Sequence, residues 1–348
     1  MDEFMSRTAL RSPRRRRATA AAALALVAPL VLTACGEDSA AGSDDGTWEP
    51  ERDIDWIVPY TPGGGFDTYS RGIAEVMQNG HLPDGVNVVV RNSPPLPQGI
   101  SSMFNAEPDG YTIGILPMPA AIAQEIQEPD LAQWTTSEFT VLGQVDENGY
   151  VVYVPADSPF ETIEDLIAAE DIRAITVEEG SSSALAGLAT IRALDLDADV
   201  TYGAEGSAEV VTAALRGDAD FFVYGSTDLV GFVESGDIRP LMYLGTEDQL
   251  PENVDWLQDV PTAEEAGFPD LAGAVTELRV IVAPPDLPEP VAEYLRGALA
   301  DTMADEEFVT WAEEAGRPIV PRTAEETEAN IAEQIEQMEE LVPQLADG

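Results

Sequence analysis

The chain has 348 residues and a formal net charge of −48, because 65 aspartate and glutamate residues outweigh 17 basic residues, all of them arginine. Such a charge repels phosphate backbones and anionic bilayer surfaces, which argues against nucleic acid as a partner and leaves a lipid anchor as the route to a membrane. The length exceeds that of a usual single-core domain and predicts two lobes.

The N-terminus carries the pattern of an export signal. The basic stretch MDEFMSRTALRSPRRRR precedes the short apolar run ATAAAALALVAPLVLTACG, so we interpret residues 1–34 as a lipoprotein signal peptide. The run ends in LTACG, which resembles a lipobox whose cysteine, Cys35, is diacylated after cleavage. The alternative is an uncleaved anchor with a free thiol. The lipobox predicts an exported protein, lipid-anchored through Cys35 at the outer face of the cytoplasmic membrane.

A polar segment separates this signal from the fold. Residues 35–52 are small, polar and acidic, which predicts a flexible tether. Cys35 is also the only cysteine, so a monomer has no internal disulfide.

The first unit alternates short apolar runs with segments of helical period. Predicted strands are DIDWIVPY, VNVVVRN and PDGYTIGIL, and the predicted helices between them are FDTYSRGIAEVMQN and ISSMFNA. The apolar segment from Thr140 to Val154 is interpreted as a strand that crosses between the lobes. We therefore assign residues 53–150 to the first part of lobe 1.

A second unit repeats this alternation. Its predicted strands are AITVEE, ADVTYG and ADFFVYG, and its predicted helices are SPFETIEDLIAA, GSSSALAGLATIRALD and SAEVVTAALRGD. The run from Ile238 to Gly245 is interpreted as the return crossing, after which come the strand LRVIVAPP and three helices. Residues 151–238 are assigned to lobe 2, and residues 239–348 to the return to lobe 1 with the C-terminal helices. This order predicts α/β lobes with parallel strands rather than a sandwich or a bundle.

A glycine-rich loop, VPYTPGGGFDTYSR, joins the first strand to the first helix. We expect Gly63, Gly64 and Gly65 to adopt positive φ and to bring the backbone close to a ligand. The N–H groups of Gly64, Gly65 and Phe66 would lie at a helix N-terminus, which carries about half a positive charge. We predict an anion site without cationic side chains. A nucleotide cradle is disfavoured because neither a following Lys-Ser/Thr pair nor the G-x-G-x-x-G register is present.

Asp67, in the first turn of that helix, has two interpretations. As a cap, the favoured role, it would contribute about 0.5–2 kcal/mol to stability. As a ligand contact, it would accept a hydrogen bond from an amine, a hydroxyl or a bound water, and both roles are compatible. Arg71, one turn further on, is expected to pair with Asp67.

A second anion clamp is predicted where a helix follows the strand AITVEE. Ser181, Ser182 and Ser183 offer hydroxyl and N–H groups there, although an ordinary N-cap explains them equally well. Ligands of open α/β sheets bind beyond the carboxyl ends of strands. That rule adds further candidate ligand-binding residues, of which the methionine and the tyrosines would form apolar walls or belong to the core: Pro117, Met118, Tyr202, Gly203, Tyr224 and Gly225.

Several patterns argue against an enzyme and against a cofactor. The only histidine, His81, lies in a predicted exposed loop, and no serine occupies a G-x-S-x-G elbow. The acidic runs lack the spacing of a calcium loop. Carboxylate pairs arise by chance in so acidic a chain, so a catalytic dyad cannot be argued from the sequence.

Four motifs in order carry a family resemblance that covers nearly the whole exported chain. They are P-x-x-P-G-G-G-x-D-x-x-x-R followed by Asn92, then PDGYT, PTAEEAGFP and VAPPDLP. In this order the chain resembles the Bug family of solute receptors of tripartite tricarboxylate transporters.

The resemblance implies both a fold and a role. The fold is periplasmic-binding-protein-like (type II), with two α/β lobes, two hinge-crossing strands and a cleft that contains Asn92 and the glycine loop. The role is that of a monomeric receptor that holds a small organic carboxylate and delivers it to a permease of one large and one small subunit.

Other loops depart from the family pattern and leave the solute open. Pro94, Pro95 and Pro97 stiffen the loop after Asn92, where the family has a glycine-rich segment. Di- and tricarboxylates, amino acids and aromatic acids all remain candidates. Two alternative functions also remain: a receptor of the same fold that presents its carboxylate to a sensor kinase, and a surface hydrolase.

Overall fold

The computed structural model describes residues 48–247, 250, 254–271, 275–317 and 319–346. The predicted signal peptide and Cys35 lie outside the described residues. Within them, no helix combines the length and the hydropathy needed to cross a bilayer. The described residues begin at Trp48, which packs against the fold. The centre of its ring lies 5.7 Å from that of Tyr111 and 5.5 Å from that of Tyr294. The last residues of the predicted tether therefore belong to the folded part.

The strands form one large sheet and two smaller ones. In chain order they are β1 (Ile54–Val58), β2 (Val88–Asn92), β3 (Thr112–Met118), β4 (Thr140–Asn148), β5 (Tyr150–Pro155), β6 (Ile172–Ile175), β7 (Ala198–Thr201), β8 (Phe222–Gly225), β9 (Ile238–Tyr243) and β10 (Glu277–Ala283). The first sheet has the order β2-β1-β3-β10-β4, the second has β8-β5-β9, and β6 pairs with β7.

Helices flank these sheets. They are α1 (Gly65–Val76), α2 (Leu96–Phe104), α3 (Ala120–Gln127), α4 (Ile163–Ile167), α5 (Ser182–Ala193), α6 (Ser207–Leu215), α7 (Val230–Glu234), α8 (Glu289–Ala304), α9 (Glu306–Glu314) and α10 (Ala324–Ala346). Local sequence explains several helix starts. At α4, for example, Thr162 and Asp165 form a reciprocal capping box.

The first sheet is only partly parallel. Strand β1 runs parallel to β2 and β3, as the alternating pattern predicted, whereas β10 runs antiparallel to both β3 and β4. Apolar clusters cover its two faces, one with α1, α8 and α9 and the other with α2, α3 and α10. Because both faces are covered, the central strand β10 is buried along its whole length.

The chain passes from the first sheet to the second at a single residue. Gly149 separates β4 from β5, which belong to different sheets, within the apolar segment that predicted a crossing strand. The return differs from the sequence-based interpretation, because β9 pairs antiparallel with β5 from Ile238 to Tyr243. The apolar character of this run reflects burial in the second sheet, and the chain reaches the first sheet again only at β10.

The C-terminal helix contacts both halves of the molecule. The first half is built on the first sheet, and the second half contains the second sheet and the β6–β7 pair. Helix α10 packs against β4 and α3 on one side and against α5 on the other. Its apolar stripe consists of Ile331, Met338 and Val342, which are buried, and Ile335, which is partly buried.

Candidate functional site

A cavity of about 180 Å³ opens where the two halves of the fold meet. The first half supplies Tyr60, Thr61, Gly64, Gly65, Phe66, Pro94, Glu277 and Arg279. The second half supplies Tyr150, Val177, Glu178, Ser181, Ser182, Ser183, Gly203, Ala204, Glu205, Gly206, Tyr224 and Asp228. Most of these residues follow the carboxyl ends of strands, which is where open α/β sheets bind ligands.

Three helices begin at the wall of this cavity. The N-cap residues are Gly64 for α1, Ser181 for α5 and Gly206 for α6, and all three line the cavity. A helix N-terminus carries about half a positive charge together with backbone N–H groups that have no partner within the helix. The partial positive charges of three such helix ends therefore surround one small space.

The glycine loop reaches the cavity in a way that differs from the expected one. Only Gly63 has positive φ, at 96°, whereas Gly64 is extended with φ −79° and ψ 177°. Gly65 is needed for close approach instead, because a Cβ there would lie 2.6 Å from Asp228 Oδ1. The prediction of positive φ at all three glycines was therefore wrong, since one left-handed residue is enough to turn the chain into α1.

Asp67 is buried behind the loop and is not among the residues that line the cavity. It accepts hydrogen bonds from the Gly63 N–H at 2.9 Å, from Asn92 Nδ2 at 2.9 Å and from Arg71 Nε at 3.0 Å. Burial opposes its ionisation, but the hydrogen bonds from Arg71, Gly63 and Asn92 outweigh burial and lower the pKa of Asp67. The expected pairing of Asp67 with Arg71 is confirmed.

Asn92 supports the same loop rather than lining the cavity. Its side-chain amide donates to Tyr60 O at 3.0 Å as well as to Asp67, and its oxygen accepts from Arg71 Nη2 at 3.0 Å. Together, Asp67, Asn92 and Arg71 hold both ends of the glycine loop, so their contribution to the site is to position the backbone.

The three serines at the start of α5 have different environments. Ser181 Oγ accepts from the Ala184 N–H at 3.2 Å, which confirms the N-cap interpretation for this residue. Ser182 Oγ is buried and has no hydrogen-bond partner among the described residues. Ser183 Oγ lies 3.4 Å from Ser181 Oγ, and all three serines line the cavity.

The remaining predicted ligand-binding residues divide into two groups. Gly203 and Tyr224 line the cavity. Those outside its wall are Gly63, Pro117, Met118, Tyr202 and Gly225. Met118 is fully buried in the core, Tyr202 points to solvent with 39% exposure, and Gly225 packs closely against the Asn148 side chain.

The charged floor of the cavity was missed by sequence reasoning. Arg279 is 1% exposed, contacts Asp146 through Nη1, and approaches Asp228 at 3.0 Å and Glu277 at 2.6 Å through Nη2. Arg317 reaches the other oxygen of Asp228 at 2.6 Å. Three carboxylates therefore surround the Arg279 guanidinium.

A signal for this cluster exists in the sequence. Glu277 and Arg279 are two residues apart in the otherwise apolar strand β10, and side chains two residues apart share one face of a strand. In the neighbouring strand β4, Asp146 lies opposite Arg279 and Asn148 lies opposite Glu277. Charged residues in a buried strand need partners, and this requirement predicts a polar cluster, although not its members.

Burial changes the ionisation of this floor. Burial raises the pKa of Glu277 to about 7, although Arg279 counteracts the change, and the negative charge of Asp228 raises it further. Burial likewise raises the pKa of Asp146 to about 6 against the effect of Arg279. Tyr150 donates its hydroxyl to Glu277 Oε2 at 2.7 Å. The fold therefore favours the protonated form of both carboxyl groups more than water does.

The acidic residues do not form a metal site in the described part of the chain. No group of three or more histidine, cysteine, aspartate or glutamate side chains is arranged there to hold a metal ion.

Comparison with known proteins assigns the chain to a family. Residues 73–346 match the family described as tripartite tricarboxylate transporter family receptor, which is most of the chain. The chain belongs to this receptor family. The members of the family are solute receptors, not enzymes.

Individual relatives agree with this membership. The receptor is 27% identical over 275 residues to the UPF0065 protein in the tcbD-tcbE intergenic region of Pseudomonas sp. strain P51, covering 75% of this chain and 76% of that protein. Its fold matches the periplasmic binding protein BugD with a TM-score of 0.72 at 23% identity, covering 85% of this chain and 98% of BugD. It also matches MatC from Rhodopseudomonas palustris, solved with bound malate, with a TM-score of 0.71 at 21% identity over 84% of this chain and 99% of MatC. At these identities the structures establish the fold, and the two-lobed periplasmic-binding-protein-like architecture is confirmed.

Proposed function

We propose that this receptor captures a small organic carboxylate in the cavity between its two halves and delivers it to the permease subunits, one large and one small, of a tripartite tricarboxylate transporter. The observation that carries the proposal is the convergence of three helix N-termini, capped by Gly64, Ser181 and Gly206, on one small cavity. Oriented backbone dipoles attract a carboxylate locally even where the overall charge of the chain repels anions.

The size of the cavity supports a small solute. A volume of about 180 Å³ lies below the roughly 300–1,000 Å³ of pockets for drug-sized ligands. MatC, which shares the fold, is a protein solved with malate, and a compact carboxylic acid of this kind suits the space.

Contacts between the halves support capture by closure. Thr61 Oγ1 donates to the backbone oxygen of Glu205 at 3.4 Å across the rim of the cavity. Closing the rim around a solute excludes water and strengthens each hydrogen bond from the helix N-termini.

The proposal includes a lipid anchor at Cys35. The lipobox sequence LTACG supports it, and the strongly negative chain needs such an anchor to stay near an anionic membrane surface. The receptor acts in this proposal as a monomer tethered at the outer face of the cytoplasmic membrane.

Isothermal titration calorimetry of the purified receptor tests the capture step. The titrants are a panel of mono-, di- and tricarboxylic acids, with phosphate esters of similar size as controls. We expect saturable one-to-one binding of at least one carboxylic acid and none of the phosphate esters. Binding of phosphate esters in the absence of any carboxylate binding would show that the assigned ligand class is wrong.

A further inference from the structure

The charges around the cavity are unusual for an anion site. Glu178, Asp228 and Glu277 line it together with one cationic side chain, Arg279. Glu205 adds a further carboxylate at the exposed rim. Acidic side chains therefore outnumber basic ones in the wall that receives the solute.

Arg279 lowers the negative charge of the wall, but its guanidinium is not free to pair directly with a ligand. One terminal nitrogen contacts Asp146, and the other contacts Asp228 and Glu277. With 1% exposure, the guanidinium is enclosed by these carboxylates. A second carboxylate on the solute would meet the acidic wall without gaining a cationic partner.

Of the acidic side chains in this wall that are withdrawn from solvent, Glu178 is the one without a partner among the described residues. Its side chain is half-buried, and no hydrogen bond or ion pair engages it among the residues that the structure describes. Burial alone raises the pKa of this carboxyl group. Desolvating a carboxylate without a partner costs free energy, which a cationic group of the solute would recover.

Glu178 also lies close to the anion clamp. Its backbone oxygen accepts a hydrogen bond from the Ser181 N–H at 3.3 Å, and Ser181 is the N-cap of α5. A carboxylate acceptor and a helix N-terminus are thus neighbours in one cavity wall, which matches a solute with opposite charges a short distance apart.

Aromatic side chains complete a site for a cation. Tyr60, Tyr150 and Tyr224 all line the cavity, and aromatic faces attract ammonium groups. Burial raises the pKa of the Tyr60 phenol well above its usual value, and the charges of Glu277 and Glu178 raise it further. The Tyr60 ring therefore lies within the field of both carboxylates.

We infer that the solute is a zwitterion, whose carboxylate binds at the helix N-termini and whose protonated amine binds Glu178 beside Tyr60 and Tyr224. This inference rests on the proposed function and narrows its ligand class from organic acids in general to amino-bearing carboxylic acids. It places Glu178 as the residue that selects these solutes over dicarboxylates.

Calorimetry with matched probes tests the inference on the wild-type receptor. The zwitterions are L-alanine, β-alanine and 4-aminobutyrate, the deaminated acids are propionate and butyrate, and the dicarboxylates are succinate and glutarate. We expect at least one zwitterion to bind with an affinity about tenfold or more above its deaminated counterpart and the dicarboxylates, because only the zwitterion gains the carboxylate partner.

The variant Glu178→Gln tests the role of the residue. It should lower affinity for the best zwitterion by about tenfold and leave affinity for a deaminated acid within about threefold. Glu179→Gln is the matched control, because Glu179 is adjacent, exposed and outside the cavity wall. An equal loss in both variants, or no loss in Glu178→Gln, overturns the assignment of Glu178.

The possible failures are distinguishable. If dicarboxylates bind more tightly than every zwitterion, the inference is wrong while the proposed capture of a carboxylate stands. If no carboxylic acid of any kind binds to the wild-type receptor, the proposed function is itself wrong, and the inference fails with it.

Discussion

Arg279 Nη2 lies 3.0 Å from Asp228 Oδ2, and this contact joins strand β10 of the first sheet to the turn that follows β8 of the second. The other oxygen of Asp228, Oδ1, accepts a hydrogen bond from Arg317 Nη1 at 2.6 Å. The carboxylate of Asp228, in the second half, is thus held by two arginines of the first half, Arg279 and Arg317. This junction links the two halves at the floor of the cavity.

Replacing Arg279 by methionine should destabilise the receptor strongly. We expect Arg279→Met to lower the free energy of unfolding by about 3–5 kcal/mol, because Asp146 and Glu277 would remain buried without their cation. Urea unfolding followed by circular dichroism measures the change. Arg317→Gln is the control and should cost less, since Arg317 is more exposed. Equal losses in the two variants would show that burial does not decide the effect.

Two adjacent glycines should respond differently to substitution. Gly64→Val should leave the fold intact and weaken solute binding more than about tenfold, because a side chain at this extended residue enters open space in the cavity wall. Gly65→Ala should destabilise the fold as well, because its Cβ would lie 2.6 Å from Asp228 Oδ1. Thermal unfolding and calorimetry on both variants check the prediction, which fails if Gly64→Val binds as tightly as wild type.

The buried carboxylate of Asp67 should matter more than its exposed partner. Asp67→Ala removes the acceptor of the Gly63 N–H and the Asn92 amide and should cost about 1–3 kcal/mol of unfolding free energy. Arg71→Ala should cost only about 0–1 kcal/mol, because Arg71 is 52% exposed. Chemical denaturation of both variants measures the difference. A larger loss of unfolding free energy for Arg71→Ala would contradict the role of Asp67 in holding the glycine loop.

The stability of the receptor should fall as the pH rises toward neutrality. The pKa of Glu277 is about 7 in the fold against a usual value of 4.5. Between these pH values the folded state holds the proton that the unfolded chain releases. The contribution of Glu277 to stability is therefore complete below pH 4.5 and is lost as the pH rises through about 7. Asp146, whose pKa is raised to about 6, acts in the same direction.

In the variant Glu277→Gln, the free energy of unfolding should fall less steeply with rising pH than in the wild type. Unfolding free energies measured at several pH values from 4.5 to 8 test this. The charged and titratable neighbours of Glu277 include Arg279, Asp228, Asp146, Tyr150, Tyr60 and Tyr224. Glu326→Gln is the control, because hydrogen bonds from Thr323 lower the pKa of Glu326, and its effect is confined to more acidic solutions. An unchanged slope in Glu277→Gln would mean that Glu277 does not titrate in this range.

The lipid anchor is tested by Cys35→Ser. Because Cys35 is the only cysteine, the variant has no thiol to acylate and should accumulate as an uncleaved precursor or be released from the membrane. Cell fractionation and mass spectrometry of the N-terminus distinguish these products from the wild type. A mature-sized variant that still sediments with membranes would exclude the anchor.

The parts of the site that depend on residues close together in the chain could be predicted from the sequence. The segment from Val58 to Arg71 predicts a strand, a glycine turn and a helix, and the structure places Gly64 at the start of α1 on the cavity wall. Ser181 likewise follows from its position before a helical segment. In both cases neighbouring residues determine the turn and the cap.

Other parts could not be predicted because their cause is distant in sequence. The run Ile238–Tyr243 has the apolar pattern of any buried strand, and only its pairing with β5 shows that it stays in the second sheet. Met118 follows the rule for strand ends, yet its side chain is buried in the core. Apolar pattern reports burial, but it does not report which surface covers the residue.

The sequence by itself determined the starts of α1, α4 and α5, the glycine turn and the two-part α/β order, because these depend on residues close together in the chain. Only the tertiary structure decided that three helix N-termini share one cavity and that Asp146, Asp228 and Glu277 surround Arg279. The physical reason is that strand register and sheet order bring together groups separated by 51 and 133 positions, and a buried charge depends on the neighbours that this pairing supplies.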